Sequence, residues 1–82
     1  MSELGARLAE EAGTLARSEG DLRAAANALL EMAADDGVAL EEAQHQWAEA
    51  LHENPEDGDA LGALVLLGAA LHLQREQNAQ AD

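Results

Sequence analysis

Residues 60–73 form the longest apolar stretch of the chain, and they constrain the fold more than any other segment. Wound as a helix, this stretch is apolar on every side, with Leu64 and Leu71 on one face and Leu66 and Leu73 on nearly the opposite face. Such a helix is buried by other segments, by a second chain or by a membrane. Because crossing a bilayer takes roughly 20 apolar residues, we expect protein to cover this helix.

Apolar residues recur at helical spacing along the rest of the chain. This spacing predicts four helices, at about 3–18, 21–34, 38–52 and 59–77. Strands are not expected, because β-branched residues are nearly absent and no segment alternates with period two. Short linkers favour antiparallel packing of consecutive helices. The sequence therefore predicts one all-α domain at 1–78, with the helix 60–73 at its centre and a frayed tail at 79–82.

Individual residues mark the expected ends of these helices. Ser2 and Asp21 are predicted to cap the first two helices, because their side-chain oxygens accept free backbone N–H groups. Gly20 is a predicted stop of the first helix in a left-handed conformation. The fourth helix has two candidate starts, at Asn54 and after Asp59, of which Asp59 is the preferred cap.

The core must be built from Leu and Ala, because Trp47 is the only aromatic residue. We expect Trp47 to pack against the helix 60–73. A fully buried Leu stabilises by roughly 1.5–3 kcal/mol and an Ala by much less, and a domain of this size buries only about 60% of its unfolded surface. Such a thin core favours oligomerisation, so a homodimer is one expectation.

The chain is strongly acidic, with 17 Asp and Glu residues against four Arg and a formal net charge of −13. Direct binding to nucleic acid and to anionic membrane surfaces is disfavoured, since both need cationic side chains. The acidity is compatible with general solubility or a salty cytoplasm, with a basic protein partner, or with imitation of nucleic-acid phosphates. No secretory signal pattern is visible, so the chain is expected to be cytoplasmic. The chain has no Cys, so the compartment cannot be inferred from redox chemistry.

Ala43, Trp47, Ala50 and Pro55 follow one another as small, large aromatic, small and proline. In this spacing the chain resembles the second helix of a tetratricopeptide repeat, and the resemblance covers about one and a half repeats, roughly residues 24–64. It implies a peptide-binding scaffold without catalysis, whose concave side is lined by the second and fourth helices. The sequence departs from the family pattern at Glu31, Gly37, Val65 and Gly68. A plain four-helix bundle is the alternative architecture.

Glu42, His45, Glu49 and His52 project from one side of the third helix and form Glu-x-x-His twice. Glu and His at this spacing ligate iron in ferritin-like proteins. Here the face lies opposite Trp47, and no second helix offers the further ligands that a metal site needs. We therefore predict a solvated face, with no metal and no other cofactor.

The residue types offer little for catalysis. The chain has no Cys, Lys or Tyr, and its Ser and Thr residues lie near the N-terminus with no His within several residues. No glycine-rich phosphate loop follows a strand. The sequence therefore predicts a protein that is not an enzyme.

The preferred interpretation is a small acidic protein-interaction module that acts through an apolar face of the fourth helix. Its contact residues would be Gly62, Leu66, Ala69 and Leu73, and it would bind a second copy or a helix of another protein. The small residues of this face would allow a second backbone to approach closely.

The alternative interpretation is an acidic inhibitor that imitates nucleic acid, of the anti-CRISPR or anti-restriction type. Carboxylates cluster at two turns and along the helix between them, where they would form a negative stripe facing a basic protein partner. The stripe would comprise Asp35, Asp36, Glu41, Glu42, Glu49, Glu53, Glu56, Asp57 and Asp59.

Overall fold

The computed structural model describes residues 2–18, 20–34 and 36–80. The described chain forms four α-helices: α1 (Glu3–Ser18), α2 (Leu22–Ala33), α3 (Gly37–Glu53) and α4 (Gly58–Gln80). The all-α prediction is confirmed, and no strand occurs in these three ranges. Seven helix ends lie within one residue of expectation, and α4 ends three residues later than expected, at Gln80. Residues 81–82 of the expected tail lie outside the described chain.

Side chains at the helix starts satisfy backbone N–H groups that have no partner within their helix. Ser2 and Asp21 accept such bonds in α1 and α2, as predicted. Asp36 caps α3, with a hydrogen bond of 3.1 Å. The predicted cap of α4 is wrong. Asp57 rather than Asp59 accepts a hydrogen bond of 3.1 Å from the backbone N–H of Ala60, the third residue of the helix. Asp59 lies in the first turn instead, where its charge favours the positive end of the helix dipole.

Among the described residues, the left-handed conformation is not found where it is predicted. No described glycine has a positive φ, so Gly20 does not end α1 in the left-handed conformation. Ala34 adopts it instead, with φ 52 and ψ 46, and its N–H donates to the carbonyls of Leu30 and Glu31 at the end of α2. Ala carries a Cβ penalty of roughly 1–2 kcal/mol in this conformation, which the two bonds to the last turn of α2 help to offset.

One leucine from each helix is fully buried at the centre of the molecule: Leu8, Leu29, Leu40 and Leu67. The remaining core is mostly alanine, which lets the helices approach closely. All four helices contact one another, but α4 makes the most extensive contacts, and α2 and α3 contact each other least. α4 is thus the central element, as expected. No helix of the described chain combines the length and apolar character needed to cross a membrane.

The contacts between α3 and α4 fix their relative direction. Gly37, at the start of α3, lies against the buried Gln74 near the end of α4, and Gln44 lies against Gly68, earlier in α4. Later residues of α3 therefore face earlier residues of α4, so the two helices run in opposite directions.

Trp47 of α3 packs against α1, and its predicted contact with the helix 60–73 stays a prediction. Its indole N–H donates to the carbonyl of Ala9 at 2.8 Å. Its ring lies over Gly13, where a Cβ would stand 2.7 Å from the ring atom Cζ2. Near the start of α1, Ser2 donates its backbone N–H to Glu42 of α3 at 2.6 Å. We call these contacts the α1–α3 seam.

Candidate interaction surface

The four residues predicted as a protein interface line two neighbouring hollows beside α4. Gly62 and Leu66 line the first hollow, and Ala69 and Leu73 line the second. Leu66 is only 4% exposed and belongs to the core, while the other three are half-buried. The hollows have volumes of about 390 and 220 Å³, and Leu22 borders both. We call the two hollows together the apolar groove.

The first hollow lies between the end of α1 and the starts of α2 and α4, and the second lies between α2 and the later part of α4. The first is lined by Leu15, Ala16, Gly20, Leu22, Gly58, Leu61, Gly62, Val65 and Leu66. The second is lined by Leu22, Arg23, Ala26, Ala69, His72 and Leu73.

The close backbone approach predicted at Gly62 occurs within the chain, between α4 and α1. A Cβ at Gly62 would stand 3.0 Å from the Cβ of Ala16, so α1 makes the close backbone approach that was expected of a partner. Gly62 therefore packs α4 onto α1. The surface that stays uncovered lies outside this contact.

That outer surface is formed by three large apolar side chains that the sequence prediction missed. Leu22, Leu61 and Val65 are 50%, 56% and 49% exposed, and all three line the first hollow. Leu61 and Val65 stand one turn apart on α4, and Leu22 follows the cap of α2. Val38, on α3, is the other large apolar residue exposed in the described chain.

The charges are distributed unevenly around the apolar groove. No described carboxylate lines either hollow, although the chain has 17 acidic residues; the ionisable lining groups are Arg23 and His72. One carboxylate, that of Glu76, lies 3.2 Å from the imidazole of His72 at the second hollow. Three others stand at the end of the groove where α2 and α4 begin. Asp21 precedes the lining residue Leu22, and Asp57 and Asp59 flank Gly58.

The Glu and His residues of α3 do not converge on one point. His45 lies 3.1 Å from Glu49, and both side chains are largely exposed. Glu42 turns instead toward α1, where its carboxylate accepts both the N–H and the hydroxyl of Ser2. His52 is exposed. In the ranges that the structure describes, no group of three or more such side chains could hold a metal ion.

The predicted acidic stripe divides into carboxylates that cap helices or join two helices and carboxylates that are exposed on the surface. Asp36 and Asp57 cap helices, and Glu42 holds Ser2. Asp35 lies outside the described residues. The exposed remainder comprises Glu41, Glu49, Glu53, Glu56 and Asp59.

No family model, no curated protein and no solved structure matches this chain. The resemblance to a tetratricopeptide repeat therefore stays a prediction.

Proposed function

We propose that this chain is a small non-enzymatic module that binds another protein through the apolar groove. One observation carries the proposal: Leu22, Leu61 and Val65 are half-exposed beside one another, on a lining without a described carboxylate, in a chain of net charge −13. Scattered exposed apolar residues are ordinary, whereas a contiguous apolar patch is typical of an interaction site.

The three exposed side chains would provide a useful part of the binding energy. Covering a fully exposed Leu or Val contributes roughly 1.5–3 kcal/mol, so completing the burial of three half-exposed ones contributes about 2–4 kcal/mol in total. Association also costs translational and side-chain freedom, so further contacts along the groove are needed. The half-buried Ala69 and Leu73 extend the apolar surface into the second hollow.

The dimensions of the groove favour a helix as the bound element. Lining residues of α4 run from Gly58 to Leu73, which corresponds to roughly 22 Å at 1.5 Å per residue. A partner helix of about four turns has this length, and its apolar residues at i, i+3, i+4 and i+7 would lie over the hollows.

Selection of binding peptides followed by affinity measurement tests the proposal. Helical peptides selected from a displayed library on the parent protein should bind a Leu61→Ser, Val65→Ser variant at least about tenfold more weakly, as expected when central apolar contacts are lost. Val38→Ser is the matched control, because it removes an exposed apolar side chain on α3, and it should leave affinity unchanged. Equal affinity for all three proteins would contradict the proposal.

A second candidate, the acidic inhibitor that imitates nucleic acid, is favoured by Glu41, Glu49 and Glu53. These carboxylates are exposed along one side of α3. The test is binding to an immobilised basic nucleic-acid-binding protein at low salt, since such binding would rest on exposed charges screened within about 8 Å at physiological ionic strength. Glu41→Lys with Glu49→Lys should weaken it, and unchanged binding would exclude this surface.

A further inference from the structure

We infer that the occupant of the apolar groove is an amphipathic helix of another protein that carries Lys or Arg beside its apolar face. The inference rests on the proposed function and adds the chemistry of the partner. It is argued from the charge around the groove.

A second copy of the chain is a poor occupant of this surface. Each copy carries a net charge of −13. A symmetric dimer brings the same patch of both copies together, and each patch would bring Asp21, Asp57 and Asp59 with it. Repulsion between two such chains opposes association, whereas a basic partner is attracted and steered toward the surface.

The local charges also indicate where the basic residues of the partner would lie. The three carboxylates stand at the end of the first hollow where α2 and α4 begin, and Asp59 is exposed there. The second hollow has a nearby carboxylate, that of Glu76 paired with His72, and it also has the cationic lining residue Arg23. The half of the partner helix over the first hollow should therefore carry its Lys or Arg residues, which would lie near Asp59.

Three labelled synthetic helices of about 16 residues, long enough to span the groove, provide the probes. The first places Leu at i, i+3, i+4 and i+7 with Lys beside this face, the second replaces Lys with Glu, and the third scrambles the first. Fluorescence anisotropy at fixed salt should show the Lys helix binding at least about tenfold more tightly than the other two, because only it matches both the apolar lining and the acidic end. The double variant Leu61→Ser, Val65→Ser should remove this advantage, and Val38→Ser should retain it.

A pair of charge reversals separates local from general attraction. Asp59→Lys and Glu41→Lys change the net charge equally, but only Asp59 stands beside the groove. We expect Asp59→Lys to weaken binding of the Lys helix several-fold more than Glu41→Lys does. Equal losses would overturn the assignment of basic residues to this end.

Other outcomes overturn the inference and the proposed function separately. The inference is overturned if the Glu helix binds and Leu61→Ser, Val65→Ser removes that binding. It is also overturned if library-selected peptides that bind the groove lack Lys and Arg. Either result leaves the proposed function standing. Sedimentation that shows a dimer abolished by Leu61→Ser, Val65→Ser would make a second copy the occupant. If these substitutions change neither peptide binding nor self-association, the inference and the proposed function are both overturned.

Discussion

The α1–α3 seam and the apolar groove both bring helices together over small residues, but only the seam is closed by a large side chain. At the seam, Trp47 covers Gly13 and donates a hydrogen bond to Ala9. At the groove, Gly62 meets Ala16 at the floor, while larger apolar side chains remain half-exposed above. Small residues allow close packing in both places, but the only Trp of the chain lies at the seam. We assign the seam to stability and propose the groove for binding.

The largest expected effect is the loss of the ring that closes the seam. Trp47→Ala should lower the free energy of unfolding by roughly 3 kcal/mol, because a void replaces the indole. Trp47→Phe keeps a ring but removes the donor to Ala9, and should cost about 1 kcal/mol. Urea unfolding followed by far-UV circular dichroism measures both. If Trp47→Ala lowers the free energy of unfolding less than Trp47→Phe does, the ring does not stabilise the seam.

The next effect is steric and depends on Trp47. Gly13→Ala should cost about 1–3 kcal/mol, because the added Cβ would stand too close to the indole ring. In the Trp47→Ala background the same change should stabilise by roughly 1 kcal/mol, since Ala favours a helix over Gly. A double-mutant cycle measures this coupling. An identical effect of Gly13→Ala in both backgrounds would contradict the described contact.

The equivalent substitution at the groove should have a smaller effect. In Gly62→Ala the new Cβ would stand 3.0 Å from the Cβ of Ala16. A small shift relieves this contact, and the helix preference for Ala, roughly 1 kcal/mol, offsets its cost. We expect a free energy of unfolding within about 1 kcal/mol of the parent. A loss as large as that of Gly13→Ala would mean that the groove floor is as tightly constrained as the seam.

The smallest effect on stability is expected at the rim of the groove. Leu61→Ser and Val65→Ser should each lower the free energy of unfolding by no more than about 1 kcal/mol, because only about half of each side chain is buried on folding. Val38→Ser should behave likewise, so the three variants differ in binding and not in folding. Thermal unfolding checks this expectation. A marked loss of stability confined to the two groove variants would make Leu61 and Val65 structural residues.

The features predicted correctly from sequence are mostly local. Helix ends and the caps Ser2 and Asp21 depend on a few neighbouring residues, which act alike in any fold. The cap of α4 is predicted wrongly because Asp57 and Asp59 can both cap, and local sequence does not choose between them. The left-handed turn was assigned to Gly20 instead of Ala34 because the path from one helix to the next depends on tertiary packing.

The features that were missed depend on which helices become neighbours. The contact of Trp47 with α1 joins residues 38 positions apart, and no local pattern encodes it. The predicted face of α4 does line the groove, but its Gly62 serves the packing of α1. Leu61 and Val65 were not singled out because a helix that is apolar all round has no outer face recognisable from periodicity. Only the packed structure shows which side is left uncovered.

The position of the bound helix on the chain tests the account most directly. Amide chemical shifts of the ¹⁵N-labelled protein would be followed during titration with the Lys-bearing amphipathic helix. We predict saturable shifts concentrated at Leu22, Leu61 and Val65, with little change along the outer side of α3. Shifts concentrated instead around Glu41 and Glu49 would place binding on the acidic face and contradict the assignment of the groove.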